Sequence, residues 1–444
     1  MKTMKSYNLL LMLLFTLCFT ACEDRLELEP AQSISGDIAV TSESNIENIL
    51  IGVYDESGQD ESHGGQLQVM ADLIGSDDQI TWGGTFLAPA EIKNKSILPD
   101  NNFVEAFWNN AFEVINQANI VLDNLAIISD ADKKNRIEGE AKFLRALNYF
   151  DLVRHFASGD SGVPLRTTGI LDYAVDLSLA RATTSSIYEL VIADLQSAIS
   201  LLPESNDVFA DKYSAQALLA RVYHYQSNFP AARDAANDVI QNSGHALSGS
   251  FAAAFNHDND NEEDIFAFQV TSQTGSNDLI IFYASEGNGG RGGDITVNDE
   301  YVALFDDPND ERASFFYESP ENGGRLTSKY TNQFGNVPIL RFAEMLLIRA
   351  EANFELGTNT GNSPMEDINM VRARSGASPL MAVTYDDIQL ERQRELAFEG
   401  FFIHDVKRTK GSVAGLQWDS QKLVLPIPQS EMDTNADMEQ NPGY

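Results

Sequence analysis

The chain has 444 residues, with 66 acidic against 30 basic side chains, a formal net charge of −36 and a pI near 4.3. Such a polyanion cannot hold nucleic acid by neutralising phosphates or grip anionic lipid through a basic patch, while 43% hydrophobic and 9% aromatic residues are too many for a disordered acidic tail. Two cysteines exclude a disulfide scaffold and a Cys-built zinc site, and the length offers core for one large domain or two to three ordinary ones.

Lys2 and Lys5 precede an apolar run from Leu9 to Phe19. The run is shorter than the roughly 20 apolar residues that span a bilayer, so residues 1–21 read as a secretory signal peptide. The end of this segment, Phe19-Thr20-Ala21-Cys22, has the small-residue-then-Cys pattern of a lipobox, with Phe where Leu is usual. An ordinary signal peptide with an incidental Cys is the alternative. On the lipobox reading Cys22 becomes the acylated first residue, and several acyl chains anchor more firmly than one. Cys18 is then discarded, and the loss of Lys2 and Lys5 makes the chain two charges more negative. Glu23 and Asp24 resemble the surface-export signal of some Gram-negative lipoproteins. Residues 22–40 read as a tether, and residues 41–444 as a single domain.

Within that body the periodicity is mostly helical. Thr41 to Ser44 offers N-caps ahead of Ile46, Ile49, Leu50, Val53 and Tyr54. Residues 62–102 are rich in Gly, Pro and Asn, show no clean period and read as a long structured loop. Helical stretches follow at Phe103–Ile128, Arg136–Phe156, Thr184–Leu202, Tyr213–Ser227 and Ala231–Ile240. Residues 243–337 form a long irregular insertion, with strand-like runs at Ile265–Phe268 and Leu279–Tyr283. Helices return at Ile339–Leu356, Glu366–Arg374 and Asp386–Gly400, and Leu423–Pro428 is extended. Leu219-Ala220, Tyr223, Phe229 and Ala232 fit tetratricopeptide spacing, in which a small residue lets two helices approach and aromatics fill the gap. The expected fold is therefore mainly α: tetratricopeptide-like α-solenoid helix pairs with a long loop-rich insertion containing short strands. Solenoids of this kind present a surface to a partner.

A series of ordered blocks resembles the SusD/RagB family of outer-membrane glycan-binding lipoproteins. They are Leu50-Ile51-Gly52-Val53-Tyr54; Ala118-Asn119; Glu140 to Phe150 with Gly162-Val163-Pro164-Leu165; Arg341 to Ala352; Ile368 to Arg374; Glu391-Arg392 with Glu395 to Gly400 and Asp405-Val406-Lys407-Arg408; and Pro426-Ile427-Pro428 with Glu431 and Gln440 to Tyr444. The resemblance runs nearly the whole length. It implies a lipid-anchored protein on the outer membrane, facing the cell exterior, that captures oligosaccharide for a SusC-like TonB-dependent transporter and has no enzymatic activity. Capture of peptides or glycopeptides and an extracellular glycosidase are the alternatives. Within these blocks Glu344, Glu391, Arg392, Glu395 and Glu399 lie among apolar residues. Buried charges must be paired, so they read as scaffold ion pairs, the alternative being a catalytic carboxylate set.

The search for chemistry returns little. The six His show no metal-ligand spacing, no Gly-x-Ser-x-Gly elbow is present, and Gly287 to Gly293 lacks the Lys-Ser/Thr of a phosphate loop, so it reads as a flexible loop. Asp258 to Asp264 is dense in oxygen ligands that could hold Ca²⁺, but Glu263 stands where an EF-hand needs Gly; a solvated acidic turn is the other reading. No cofactor is expected beyond that Ca²⁺. Sugar sites pair an aromatic platform with polar side chains. Trp82, in the Gly-flanked loop Asp77 to Phe86, fits that role, with Asp77, Asp78 and Gln79 as hydroxyl partners. Tyr283, Asn288 and Arg291 are further candidates, in the insertion where relatives also draw ligand contacts. Trp108, beside Phe107 and Phe112, reads as core, and Trp418 as structural.

Overall fold

The computed structural model describes residues 40–271 and 277–444. The signal peptide, Cys22 and the tether lie outside the described residues. Eight helices form the body: α1 (Glu43–Ser57), α4 (Asn102–Asp123), α5 (Ala131–Phe156), α6 (Thr184–Leu201), α7 (Lys212–Tyr225), α8 (Phe229–Asn242), α11 (Phe342–Leu356) and α12 (Pro364–Arg374). Each packs on the next: α1 on α4, α4 on α5, and so on to α8, which lies directly against α11, and α11 on α12. This is the helical solenoid the spacing predicts. Ala220 and Ala232 are fully buried where α7 meets α8. Side-chain caps start the helices where the sequence supplies them: Ser42 for α1, Asp130 for α5, Thr183 for α6 and a Ser363/Glu366 capping box for α12.

Residues 62–102 are more ordered than the missing period suggests. They hold α2 (Gln66–Gly75), strand β1 (Ile80–Trp82) and α3 (Leu87–Lys93). Helix α2 is buried from Val69 to Gly75 without interruption, so it has no polar face to generate a period. Later in the chain, Ile339–Leu356 divides into strand β8 (Val337–Arg341) and α11. The stretch Asp386–Gly400 is helical only as α13 (Tyr385–Glu395), because Phe398 (φ 66°) and Gly400 (φ 79°) take left-handed backbone. A further helix, α14 (Phe402–Arg408), follows.

Between α8 and α11 the chain leaves the solenoid and returns. Strand β4 (Asp264–Phe268) pairs antiparallel with β8 and closes the base of this insertion. Leu279–Tyr283 is helical, as α9 (Asp278–Tyr283), where a strand was expected: Asn277 caps it, and Leu279, Ile280, Phe282 and Tyr283 are all buried. Farther out, β5 (Ile295–Val297) pairs with β1, with Trp82 opposite Ile295, and β6 (Phe316–Glu318) forms a hairpin with β7 (Arg325–Thr327).

A buried ionic network fastens the insertion to the solenoid. Arg341 contacts Glu263 at 2.5 Å, Glu395 at 3.1 Å and Glu399 at 2.8 Å. Arg312 contacts Asp310 (2.8 Å), Glu391 (2.7 Å) and Glu395 (3.2 Å), Arg374 contacts Glu263 (2.8 Å) and Glu395, Lys329 contacts Glu399 (2.6 Å), and Arg372 contacts Glu391 (3.3 Å). Five cations thus meet five carboxylates, nearly all inaccessible to solvent. Burial alone would raise the Glu395 carboxyl, but Arg374, Arg341 and Arg312 pull it well below its usual value. Phe251 and Phe255 cover the cations, with Lys329 Nζ 4.6 Å from the Phe255 ring centre and Arg374 5.2 Å from that of Phe251. Elsewhere Glu344 pairs with Arg221 (2.7 Å), Arg392 with Asp405 (3.2 Å) and Arg349 with Asp367 (2.6 Å). Glu344, Glu391, Arg392, Glu395 and Glu399 are therefore all ion-paired within the scaffold.

Removing one partner of a buried pair leaves the other charged and unsatisfied. Glu395→Ala is expected to cost about 3–5 kcal/mol of unfolding free energy in urea titration at pH 7. Asp299→Asn, which breaks the exposed pair with Arg325, is expected to cost less than about 0.5 kcal/mol. Equal losses would show that the network contributes no more than a surface contact.

Candidate functional site

The β1–β5 pairing brings two segments more than two hundred residues apart into one surface. Trp82 ends β1, and the backbone N–H of Gly83 continues the contact by donating to the Asp294 carbonyl at 2.7 Å. The indole lies against Gly84, where a Cβ would come 2.5 Å from Trp82 Cζ2 and 2.6 Å from the Asp294 carboxyl carbon; only glycine lets strand and loop approach this closely. Phe282 of α9 supports the indole from below, with ring centres 5.9 Å apart, and also meets Phe103 (5.8 Å) and Phe86 (6.4 Å). Trp82 is half-buried, and its Nε1 has no hydrogen-bond partner.

Arg291 completes the surface. Its guanidinium sits 4.1 Å above the centre of the exposed Phe86 ring, its Nε donates to Asp294 at 3.0 Å, and a terminal nitrogen reaches Thr85 Oγ1 at 3.4 Å. Burial raises the Asp294 carboxyl, and Arg291 opposes that shift. The result is a stacked cation and aromatic ring open to solvent, next to the edge of Trp82. Phe86 was not singled out by sequence reasoning. Its only signal was its place four residues after Trp82 in a Gly-Gly-Thr turn.

The other candidates divide. Asp77 and Asp78 are exposed, and their carboxylates accept no hydrogen bond among the described residues; their carbonyls hold Lys93 Nζ (2.5 Å) and Asn298 Nδ2 (2.7 Å). Gln79 turns its side chain back to accept from the Asp77 N–H at 3.0 Å. Asn288 is half-buried at the end of a single 3₁₀ turn. Tyr283 does not face solvent: it is fully buried, donates to Asp72 Oδ2 at 2.8 Å, and packs on Tyr330 and Phe398. Helix α9 turns Tyr283 into the core, whereas a strand would have alternated its faces. The glycine run is not a loose loop either. Gly290 passes so close to the end of α9 that a Cβ would lie 2.2 Å from the Ala284 carbonyl oxygen, and the next residue, Arg291, donates its N–H to Ile281. That close passage places Arg291 over Phe86.

The acidic turn Asp258–Asp264 does not gather its carboxylates. Asp258 accepts from Asn332, Asp260 from Gln269 and Asn336, and Asp264 from the Asn261 N–H. Among the described residues no group of three or more His, Cys, Asp and Glu side chains could hold a metal ion, and no helix is long and apolar enough to cross a membrane.

Comparison with known proteins agrees with this architecture. Residues 24–224 match a SusD-like family described as starch-binding and associating with the outer membrane, and residues 321–423 match the SusD family proper, SusD/RagB. A SusD-like protein, P2, of Formosa agariphila is 26% identical over 99% of this chain and all of its own length. The starch-binding protein SusD of Bacteroides thetaiotaomicron is 26% identical over 42% of this chain and 36% of its own. Among solved structures, a putative sugar-binding protein of Bacteroides vulgatus superposes with a TM-score of 0.81 at 23% identity, covering 91% of this chain and 99% of that one; at that identity the likeness is one of fold.

The Asp72–Tyr283 contact beneath the site has a pH signature. Burial pushes the Asp72 carboxyl up to about 7, and hydrogen bonds from Tyr283 and Gly400 oppose the shift. A carboxyl raised in the folded state contributes stability below its unfolded pKa and loses it as pH rises through the folded value. Wild type is therefore expected to lose roughly 1 kcal/mol per pH unit relative to Asp72→Asn between about pH 4 and 7, with a constant difference above that. Parallel stability curves from urea titrations at pH 4.5, 6 and 7.5 would contradict it.

Proposed function

Because this chain belongs to the SusD/RagB family of glycan-binding outer-membrane proteins, we propose that it captures oligosaccharide at the cell surface and passes it to a SusC-like TonB-dependent transporter, anchored through acylated Cys22. The observation that carries the reading is the solvent-open stack of Arg291 on Phe86 beside Trp82. A sugar ring has an apolar C–H face that an aromatic ring can cover, and hydroxyls at its rim that need donors and acceptors. Phe86 and the Trp82 edge offer the first, Arg291 offers N–H donors, and the Asp77 and Asp78 carboxylates and Asn288 offer a polar fringe. Ion pairing to Asp294 and stacking on Phe86 hold Arg291 in place before ligand arrives, which lowers the ordering cost of binding.

Capture and delivery need no bond to be made or broken, so the protein acts as a binding subunit and not as a glycosidase. The carboxylate nearest the platform, Asp294, is tied to Arg291, which suits orientation better than proton transfer. The helical face would dock on the transporter while the insertion faces the ligand. Support for this division comes from the β1–β5 pairing, which gathers the candidate site on the insertion side.

Phe86→Ala and Arg291→Ala are each expected to weaken binding of a recognised oligosaccharide about tenfold, equivalent to about 1.4 kcal/mol, and Trp82→Ala by a similar factor. Calorimetry against a panel of glycans and peptides checks this. Unchanged affinity in all three variants would remove the platform, and binding of peptides alone would favour peptide capture. Purification of the lipidated protein in mild detergent is expected to bring down a large β-barrel partner.

A further inference from the structure

A concave surface elsewhere on the molecule shares no lining residue with the Trp82 platform. Helix α4, the segment 164–178 and the short helix α15 (Gln429–Thr434) enclose a cleft of about 490 Å³, within the range of small-ligand sites. Trp108 lies at its floor, 1% exposed, with its ring 4.8 Å from that of Phe112. Tyr173 stands at its lip, 63% exposed.

The segment that forms the lip is exposed throughout 171–176, yet it is held by buried asparagines on both sides. Asn116 of α4, 7% exposed, accepts the Ile170 N–H at 2.7 Å and donates to the Ile170 carbonyl at 3.2 Å and to the Tyr173 hydroxyl at 2.9 Å. Asn435, 5% exposed, does the same from the other end, accepting the Leu179 N–H at 3.1 Å and donating to its carbonyl at 3.0 Å. Each asparagine mimics a strand neighbour for one residue of a segment that has no strand partner there. A solvent-facing segment needs no such bracing for stability alone, because water would satisfy its backbone. The bracing fixes Tyr173 over the cleft.

The lining also carries a chemical preference. Glu113, Asp176 and Glu431 face the cleft with one cation, Arg166, which donates from one terminal nitrogen to the Leu177 carbonyl. Glu113 accepts one bond, from Gln117 at 3.0 Å, and Glu431 accepts from Asn435 at 2.7 Å and Trp108 Nε1 at 3.4 Å, so each carboxylate keeps lone pairs for a further donor. The surplus is of acceptors and negative charge. Burial and the nearby Glu113 both push the Tyr173 phenol up, in keeping with that field. Such a surface repels uronates and sulfated sugars and accepts hydroxyl donors.

We propose that this cleft is a second saccharide-binding site that takes a neutral pyranose unit, its C–H face on Tyr173 and Phe112 and its hydroxyls on Glu113 and Glu431. It would give an oligosaccharide a second point of attachment, and it rests on the glycan-capture reading only in the class of ligand. The test is calorimetry on the detergent-solubilised full-length protein, with Trp108 fluorescence as a local reporter. The probes are maltohexaose, cellohexaose, xylohexaose, laminarihexaose and hexagalacturonate. Wild type, Tyr173→Ala, Glu113→Gln and the double variant Phe86→Ala/Arg291→Ala are compared. Tyr173 and Glu113 lie outside the core, so unchanged melting temperatures are expected. Support is a neutral-probe binding event that survives in the double variant, is weakened at least fivefold by Tyr173→Ala or Glu113→Gln, and is not seen with hexagalacturonate. Neutral-probe binding that vanishes in the double variant, or is indifferent to both cleft variants, would overturn the cleft and leave the platform standing. Loss of binding in Tyr173→Ala with normal binding in the double variant would overturn the platform and keep the cleft. Failure of every neutral probe with wild type would overturn both.

Discussion

The buried ionic network around Arg341 and Glu395 is the constraint on which the rest of the molecule depends. Ten charged groups taken out of water would cost far more than the fold can supply if even one side of the ledger were short. The network therefore requires Glu263, Asp310, Arg312 and Lys329 of the insertion, Arg372 and Arg374 of α12, and Glu391, Glu395 and Glu399 around α13 to arrive together. An aromatic cover of Phe251 and Phe255 keeps water from the cations. Apolar packing could weld two layers without choosing how they meet. A charge-matched array with bidentate arginines admits one arrangement, so the insertion that carries half of the candidate platform is set at a defined angle to the helices.

The charge distribution makes the single cation of the candidate site, Arg291, conspicuous. With 66 acids and 30 bases, an exposed, partly free guanidinium is scarce on this surface. Most arginines are consumed inside: Arg145 by Asp194, Arg221 by Glu344, Arg349 by Asp367, Arg408 by Glu351 and Asp405. Arg291 keeps solvent access because Asp294 takes its Nε and leaves the rest of the fork over Phe86. The cleft beside Tyr173 is the complementary case, with Glu113, Asp176 and Glu431 set against the single cation Arg166.

Much of this was legible in the sequence, and the reasons for the rest are physical. The solenoid could be read because its helices have one buried and one wet face, as in α4 and α8. The scaffold ion pairs could be read because charges such as Glu344 and Arg349 interrupt an otherwise apolar helix. Helices α2 and α9 could not, since a segment buried on every side has no period to display. Trp82 and Arg291 were identified separately, but what joins them is the register of β1 against β5 and the close passage of Gly290, neither of which leaves a local mark. The buried bracing of Asn116 and Asn435 was invisible for the same reason: an asparagine in a helix or turn carries no sign of the distant backbone it will hold.

The β4–β8 pairing at the base of the insertion has a consequence for how such proteins change. The chain departs the solenoid after α8 and rejoins it at α11, and those two helices touch as though nothing lay between them. The whole outward segment therefore behaves as a cassette on a fixed two-strand socket. Its outer loops can be rewritten without disturbing the stacking of the helices, provided the socket, its ionic plug and the contacts of α9 and β5 with Asp72, Phe103 and β1 are kept. What the outward segment displays is thereby uncoupled from the helical stack beneath it, because one contiguous stretch of sequence carries the first and the flanking stretches carry the second.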